Sequence, residues 1–102
     1  MLFRSLLSAA GARVLVVGRN ASRVAELATT VGGEPRSMAE LDASLREADV
    51  VITSTSAPGF IVDYDAVKEL RKKRRGRSLF FVDLAVPRDV DPRVESLDGV
   101  FL

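Results

Sequence analysis

The chain has 102 residues, 47% of them apolar, and contains no cysteine and no histidine; that length fits one small domain with a modest core. Without thiols or imidazoles, disulfides, the usual zinc sites, thiol nucleophiles and imidazole bases are excluded, and with them most hydrolytic chemistry. Fifteen Lys plus Arg against fourteen Asp plus Glu leave a formal charge of +1, so no global field calls for a nucleic acid or a membrane as partner, and any anion site must be local. The longest apolar runs, such as residues 79–82 and 50–52, fall far short of the ~18 residues a membrane span needs; a soluble, cytoplasmic protein is expected.

In chain order, Leu2, Phe3, Leu6, Leu7 and Ala10 recur at helical spacing, with Gly11 where a helix would stop. The lack of acids before Glu26 also fits a transit peptide, but the helical pattern outweighs it, and Arg4 interrupts the apolar run of a secretory signal. Residues 13–17 (RVLVV) are a β-branched run suited to a strand buried on both faces, and a polar turn follows at 18–20. Residues 22–31 carry Val24, Leu27, Ala28 and Val31 on one helical face and stop at Gly32 and Gly33. Residues 34–36 make at most a short edge strand, because Pro35 cannot donate to a ladder. Ser37 with Glu40 three residues on is a capping-box pattern, opening a helix with Leu41 and Leu45 that ends near Ala48. Residues 49–54 read as a strand and 57–59 as a turn; Asp63 or Asp65 then caps a helix bearing Val67 and Leu70, with four cations at 72–75 in its last turn. Residues 78–83 form a strong strand, 87–92 a structured loop, and 100–102 the beginning of a last strand.

Strands alternating with helices at this spacing predict an α/β domain: a Rossmann-like open parallel sheet with helices on both faces and right-handed crossovers. Ligands of such sheets bind beyond the carboxyl ends of the strands, so the turns after Val17, Thr53 and Asp83 are expected to open on one crevice.

The first turn, in VVGRNASR (residues 16–23), has no acid of the kind that binds unphosphorylated ribose hydroxyls. Arg19 and Arg23 suit a 2′-phosphate, Asn20 and Ser22 are donors, and a helix amino terminus adds free N–H groups. The same residues also read as a plain helix cap flanked by solvated arginines, and these eight alone leave both readings open. The second turn, TSTSAPG (53–59), sets hydroxyls and small residues where a cofactor would pass, or is an ordinary loop. The run KELRKKRRG (68–76) reads as a solvated helix end whose cations complement the dipole.

The third turn, DLAVPRDVDP (83–92), has an acid at a strand end and then Val-Pro-Arg-Asp closed by a second proline. It resembles the corresponding stretch of glutamyl-tRNA reductases, and RNASRVAELATTVGGE (19–34) and ADVVITSTSAP (48–58) fall into register with the same family, so that the resemblance runs from Gly11 to Leu102. Shikimate dehydrogenases share the Arg turn but typically carry Asn-Thr-Thr-Pro and Tyr-Asn-Pro where this chain has STSAP and AVPRD.

The resemblance implies an NADPH-dependent reductase of tetrapyrrole biosynthesis. In it a cysteine of a separate domain attacks the glutamyl ester of charged tRNA, and hydride reduces the thioester to glutamate-1-semialdehyde. It implies that Arg19, Asn20, Ser22 and Arg23 hold the 2′-phosphate and adenine, that Ser54, Thr55 and Ser56 line the path to the nicotinamide, and that Asp83, Ala85, Pro87 and Arg88 face it and the catalytic domain. The family usually has Asn-Arg-Thr where this chain has Gly18-Arg19-Asn20. A homodimeric intact enzyme is implied, with glutamyl-tRNA as substrate and no nucleic-acid contact by this region. The family's glycine loop and first strand are missing before Leu2, so residues 1–102 are expected to be a partial NADP-binding domain, inactive alone for want of a thiolate. In the strand order 3-2-1-4-5-6 the absent strand is the middle one, and its neighbours at 13–17 and 49–54 are expected either to stand apart as two half-sheets or to meet directly. The alternatives are another NADP-linked dehydrogenase of the shikimate type and a non-catalytic nucleotide-binding module.

Overall fold

The computed structural model describes residues 11–55 and 57–102; the helix expected over residues 2–10 lies outside them. Among these residues five strands form one sheet: β1 (Val14–Val17), β2 (Glu34–Arg36), β3 (Val50–Thr53), β4 (Leu79–Asp83) and β5 (Val100–Phe101). Their order is β2-β1-β3-β4-β5 and every pairing is parallel. Helix α1 (Ala21–Val31) joins β1 to β2, a 3-10 turn (Met38–Glu40) and α2 (Leu41–Glu47) join β2 to β3, α3 (Tyr64–Lys73) joins β3 to β4, and a second 3-10 turn (Pro92–Ser96) precedes β5. No described helix is long and apolar enough to cross a membrane.

Burial explains the layering. β1 and β3 are buried at every position, and successive side chains alternate between two cores. Leu15, Val17 and Val51 join Leu45 of α2, Val67 of α3 and Val94 on one face. Val14, Val16, Val50 and Ile52 join Val24 and Ala28 of α1 on the other. The sheet thus carries helices on both faces, as expected. The strands at 13–17 and 49–54 meet directly, in register from Val14 opposite Val50 to Val17 opposite Thr53.

Local chemistry sets the boundaries. Helix α1 begins at Ala21, one residue before the expected start at residue 22, because the Asn20 side chain accepts the Arg23 N–H at 3.1 Å. It ends where Gly32 turns left-handed at φ 73°, a conformation that costs glycine little. The chain then passes so close to β1 that a Cβ on Gly33 would lie 2.9 Å from the Val14 carbonyl oxygen. β2 is the short edge strand expected from Pro35. The Glu40 carboxylate accepts the Ser37 N–H (2.9 Å) and hydroxyl (3.1 Å), but the turn it opens is 3-10 before it becomes α2. Asp63, rather than Asp65, caps α3 by accepting the Ala66 N–H at 2.8 Å.

One expectation is corrected. The cationic end of α3 is not a solvated face throughout, because Arg74 is only 4% exposed. Its guanidinium donates to the carbonyls of Leu45 (2.9 Å), Arg46 (3.3 Å), Ala48 (2.7 Å) and Ser78 (2.7 Å). The last carbonyls of a helix lack intrahelical donors and carry the negative end of its dipole; Arg74 supplies what the end of α2 lacks. Burial pushes its guanidinium down from the ordinary value.

Asp49 ties the starts of β1 and β3 by accepting the Arg13 N–H (2.8 Å) and an Arg77 Nη2 hydrogen (3.2 Å). The Arg13 N–H, more than the neighbouring guanidinium groups, holds its carboxyl below the usual range. A carboxyl with a lower pKa folded than unfolded stabilises the fold fully above its unfolded value and loses that contribution as pH falls through the folded one. Urea midpoints measured against pH should therefore drop below about pH 4, and Asp49→Asn should flatten part of that drop; an unchanged acid limb would contradict the assignment.

Candidate functional site

Because β1, β3 and β4 run parallel, their carboxyl ends lie on one side of the sheet, and the turns that follow them form the candidate site. After β1, Gly18 is buried and Arg19, Asn20, Ser22 and Arg23 are exposed around the start of α1, whose first turn has no acid. Among the described residues no carboxylate lies within ion-pair distance of Arg19 or Arg23.

The expected cluster divides between two recesses. Asn20 and Arg23 share one of about 330 Å³ with Ser54 from the turn after β3 and Leu84 from the turn after β4. Arg19 lines a second, of about 430 Å³, with Gly18, Pro35, Arg36 and Ser37. Val24 borders both, and Ser22 lines neither. Arg36 is already engaged by Glu34 (3.2 Å) and Glu47 (3.4 Å); the Glu34 hydrogen bond raises its pKa. Arg19 and Arg23 are therefore the cations here that remain open to an anion.

The turns after β3 and β4 are bound to each other. Thr55 gives both its N–H (2.7 Å) and its hydroxyl to the carboxylate of Asp89, a fully buried residue. Ser56 lies outside the described residues. Asp83 accepts the N–H groups of Ala85 (3.0 Å), Asp89 (2.9 Å) and Val90 (2.9 Å), with the Thr53 hydroxyl at 3.5 Å. Both oxygens of Asp83 thus organise the backbone of its own loop. Ala85 is buried, whereas Leu84 and Val86 are 54% and 86% exposed and Pro87, after a cis peptide bond, is exposed with them. A third recess, of about 530 Å³, lies beside Asp83, Ala85, Arg88 and Glu95.

Asn20, Arg23 and Ser54 therefore come together, Arg19 stands next to them in an adjoining recess, and Thr55 and Asp83 hold loops in place. Asp89 was not singled out from the sequence. Its signal is present all the same: two acids six residues apart in a proline-bearing loop after a buried strand, where the loop's amides need acceptors. Chemically, the site offers the cations Arg19 and Arg23, helix N–H groups and hydroxyls suited to phosphate, with the Glu26 carboxylate, beyond the first turn of α1, as the acid lining the Asn20–Arg23 recess; no group of acidic residues among the described residues could hold a metal.

The family model described as shikimate / quinate 5-dehydrogenase matches residues 1–102. A glutamyl-tRNA reductase of Sorangium cellulosum is 56% identical over 97 residues, covering 95% of this chain and 18% of the relative. That of Bacillus subtilis is 46% identical over 90 residues, 88% of this chain and 20% of its own. The chain spans about a fifth of the length of these curated relatives. Among solved structures, the glutamyl-tRNA reductase of Methanopyrus kandleri superposes with a TM-score of 0.69 at 32% identity, over 88% of this chain and 29% of that one. The nucleotide binding domain of the Thermoplasma volcanium enzyme, at 16% identity and a TM-score of 0.53 over 96% and 80% of the two chains, shares the fold. The chain belongs to the shikimate/quinate 5-dehydrogenase family, and within it is similar to a stretch about one fifth the length of glutamyl-tRNA reductases.

Proposed function

We propose that residues 1–102 form part of the NADPH-binding domain of a glutamyl-tRNA reductase, an enzyme that makes glutamate-1-semialdehyde for tetrapyrroles. The carrying observation is the pair Arg19 and Arg23, neither engaged by a carboxylate, at the start of a helix whose first turn has no acid, with Ser54 beside Arg23. A dinucleotide's phosphates fit this donor set. Arg23 and the first N–H groups of α1 would bind phosphate from one recess and Arg19 from the other, while Ser54 supplies a hydroxyl between β3 and the cofactor. The Asn20 side chain, engaged in capping, keeps the helix start in place. Bound NADPH would supply hydride; the exposed tip of the loop after β4, with Val86, Pro87 and Arg88, would meet the nicotinamide end and the catalytic domain.

This chain has no cysteine, so acyl transfer from glutamyl-tRNA would rest on a thiolate of another domain, and the isolated chain is expected to be inactive. The intact enzyme would be a cytoplasmic homodimer whose tRNA contacts lie outside this region. Titration of the chain with NADPH and with NADH tests the reading. The wild type should bind NADPH more tightly, and Arg19→Ala and Arg23→Ala should each weaken NADPH by roughly tenfold while changing NADH less, as loss of a charge-assisted hydrogen bond requires. An NADPH-to-NADH ratio that neither substitution alters would overturn it.

A further inference from the structure

We propose that Asp89 is a positioning residue that holds Ser54 and Thr55, at the start of the segment between β3 and α3, in the shape the nucleotide meets. The proposal rests on the NADPH reading above and names a residue which that reading does not use. Asp89 grips the segment at both ends. Its carboxylate takes the N–H and hydroxyl of Thr55, two residues after β3. Its backbone carbonyl takes the N–H groups of Ile61 (2.8 Å) and Val62 (3.0 Å), and the Val62 carbonyl in turn takes the Asp91 N–H at 3.0 Å. Asp89 is itself fixed, because its own N–H and that of Val90 both end on Asp83.

The linkage therefore runs from the Asp83 carboxylate to the Asp89 backbone, from the Asp89 carboxylate to Thr55, and from Thr55 through one peptide bond to Ser54. Ser54 lines the recess that holds Asn20 and Arg23. The Thr55 hydroxyl also accepts the Ala57 N–H at 3.3 Å, so the same carboxylate is linked to Ala57. Asp89 is fully buried and lines none of the three recesses beside the site; it would act through Thr55 rather than by touching nucleotide. A buried carboxylate accepting two donors from one residue fixes both the backbone and the side-chain angle of that residue, and a ligand then binds a segment already ordered.

The experiment compares the wild-type chain with Asp89→Asn, Thr55→Val, Thr55→Ser and the Asp89→Asn/Thr55→Val double variant. It reads NADPH dissociation constants, amide hydrogen exchange and thermal melts. Asp89→Asn, which turns an acceptor into a donor facing donors, should weaken NADPH by roughly tenfold and speed exchange at the Thr55 and Ala57 amides, with β1 and β3 amides still protected. Thr55→Val should weaken binding in the same direction, Thr55→Ser should stay within about twofold of wild type, and the double variant should be no worse than the weaker single, as coupled partners require. If Asp89→Asn leaves too little folded chain to titrate, the Thr55 pair decides by the same criterion. Unchanged NADPH affinity in a folded Asp89→Asn or Thr55→Val chain, or additive losses in the double, would overturn the positioning role alone. A wild-type chain that binds no NADPH would overturn the nucleotide reading and the role with it.

Discussion

Arg74→Met should lower the free energy of unfolding by about 3 kcal/mol, a large share of what a small domain has. Methionine keeps much of the aliphatic volume, so the loss falls on the four carbonyls of Leu45, Arg46, Ala48 and Ser78. A buried acceptor left unpaired costs about 1–3 kcal/mol, and relief of the buried charge offsets part of that sum. Arg77 still donates to the Glu47 carbonyl at 3.0 Å, so the end of α2 is not stripped of donors altogether. Arg74→Lys should recover only part of the loss, since an ammonium cannot reproduce the planar fork that bridges α2 to the residue before β4. Urea unfolding followed by circular dichroism measures both; a loss under about 1 kcal/mol for the methionine variant would show that solvent replaces the guanidinium.

Asp83→Ala should cost about as much, roughly 3 kcal/mol, and should act on a different part of the molecule. It removes the acceptor for three backbone N–H groups, those of Ala85, Asp89 and Val90, whose hydrogen bonds close the loop after β4. Bonds to an ionised acceptor are worth about 1.5–3 kcal/mol each, and solvent at the half-buried carboxylate recovers a portion. Asp83→Asn should fall between, because one amide oxygen replaces two carboxylate oxygens. Exchange at the Asp89 and Val90 amides should accelerate in both variants before any change at β1. Retained protection at those two amides in Asp83→Ala would count against the carboxylate as organiser of the loop.

Arg74 and Asp89 mark where reading residues in order falls short. The alternation of apolar runs with helical spacing is a local property, and it yielded the five strands, the three helices of the described residues and the edge position of β2, while it left open the choice between Asp63 and Asp65 as a cap and the role of Asn20. What was not legible is side-chain hydrogen bonding across distance in sequence. Arg74 looks like its neighbours Lys72, Lys73 and Arg75, and only the packing of α3 beside the end of α2 turns it inward. Asp89 similarly reads as one more charge in DLAVPRDVDP until the turn after β3 is brought alongside it. At the candidate site, the cations and hydroxyls were legible by type. The separation of Arg19 from Arg23 was not, because it depends on α1 and Val24 lying between the two recesses.

The all-parallel sheet also bears on how quickly the molecule forms. None of its four strand pairings can begin as a hairpin, since parallel neighbours need a crossover between them. Even the most local pairing waits for the chain to close from Leu15 to Glu34, and the central one from Val14 to Val50. Loop-closure entropy is thus lost before any ladder forms, which places refolding among the slower small domains, in milliseconds to seconds rather than microseconds. During that interval the apolar strands Val14–Val17 and Val50–Thr53 are exposed to other chains, so dilution should govern the yield of refolded protein more than any single stabilising contact.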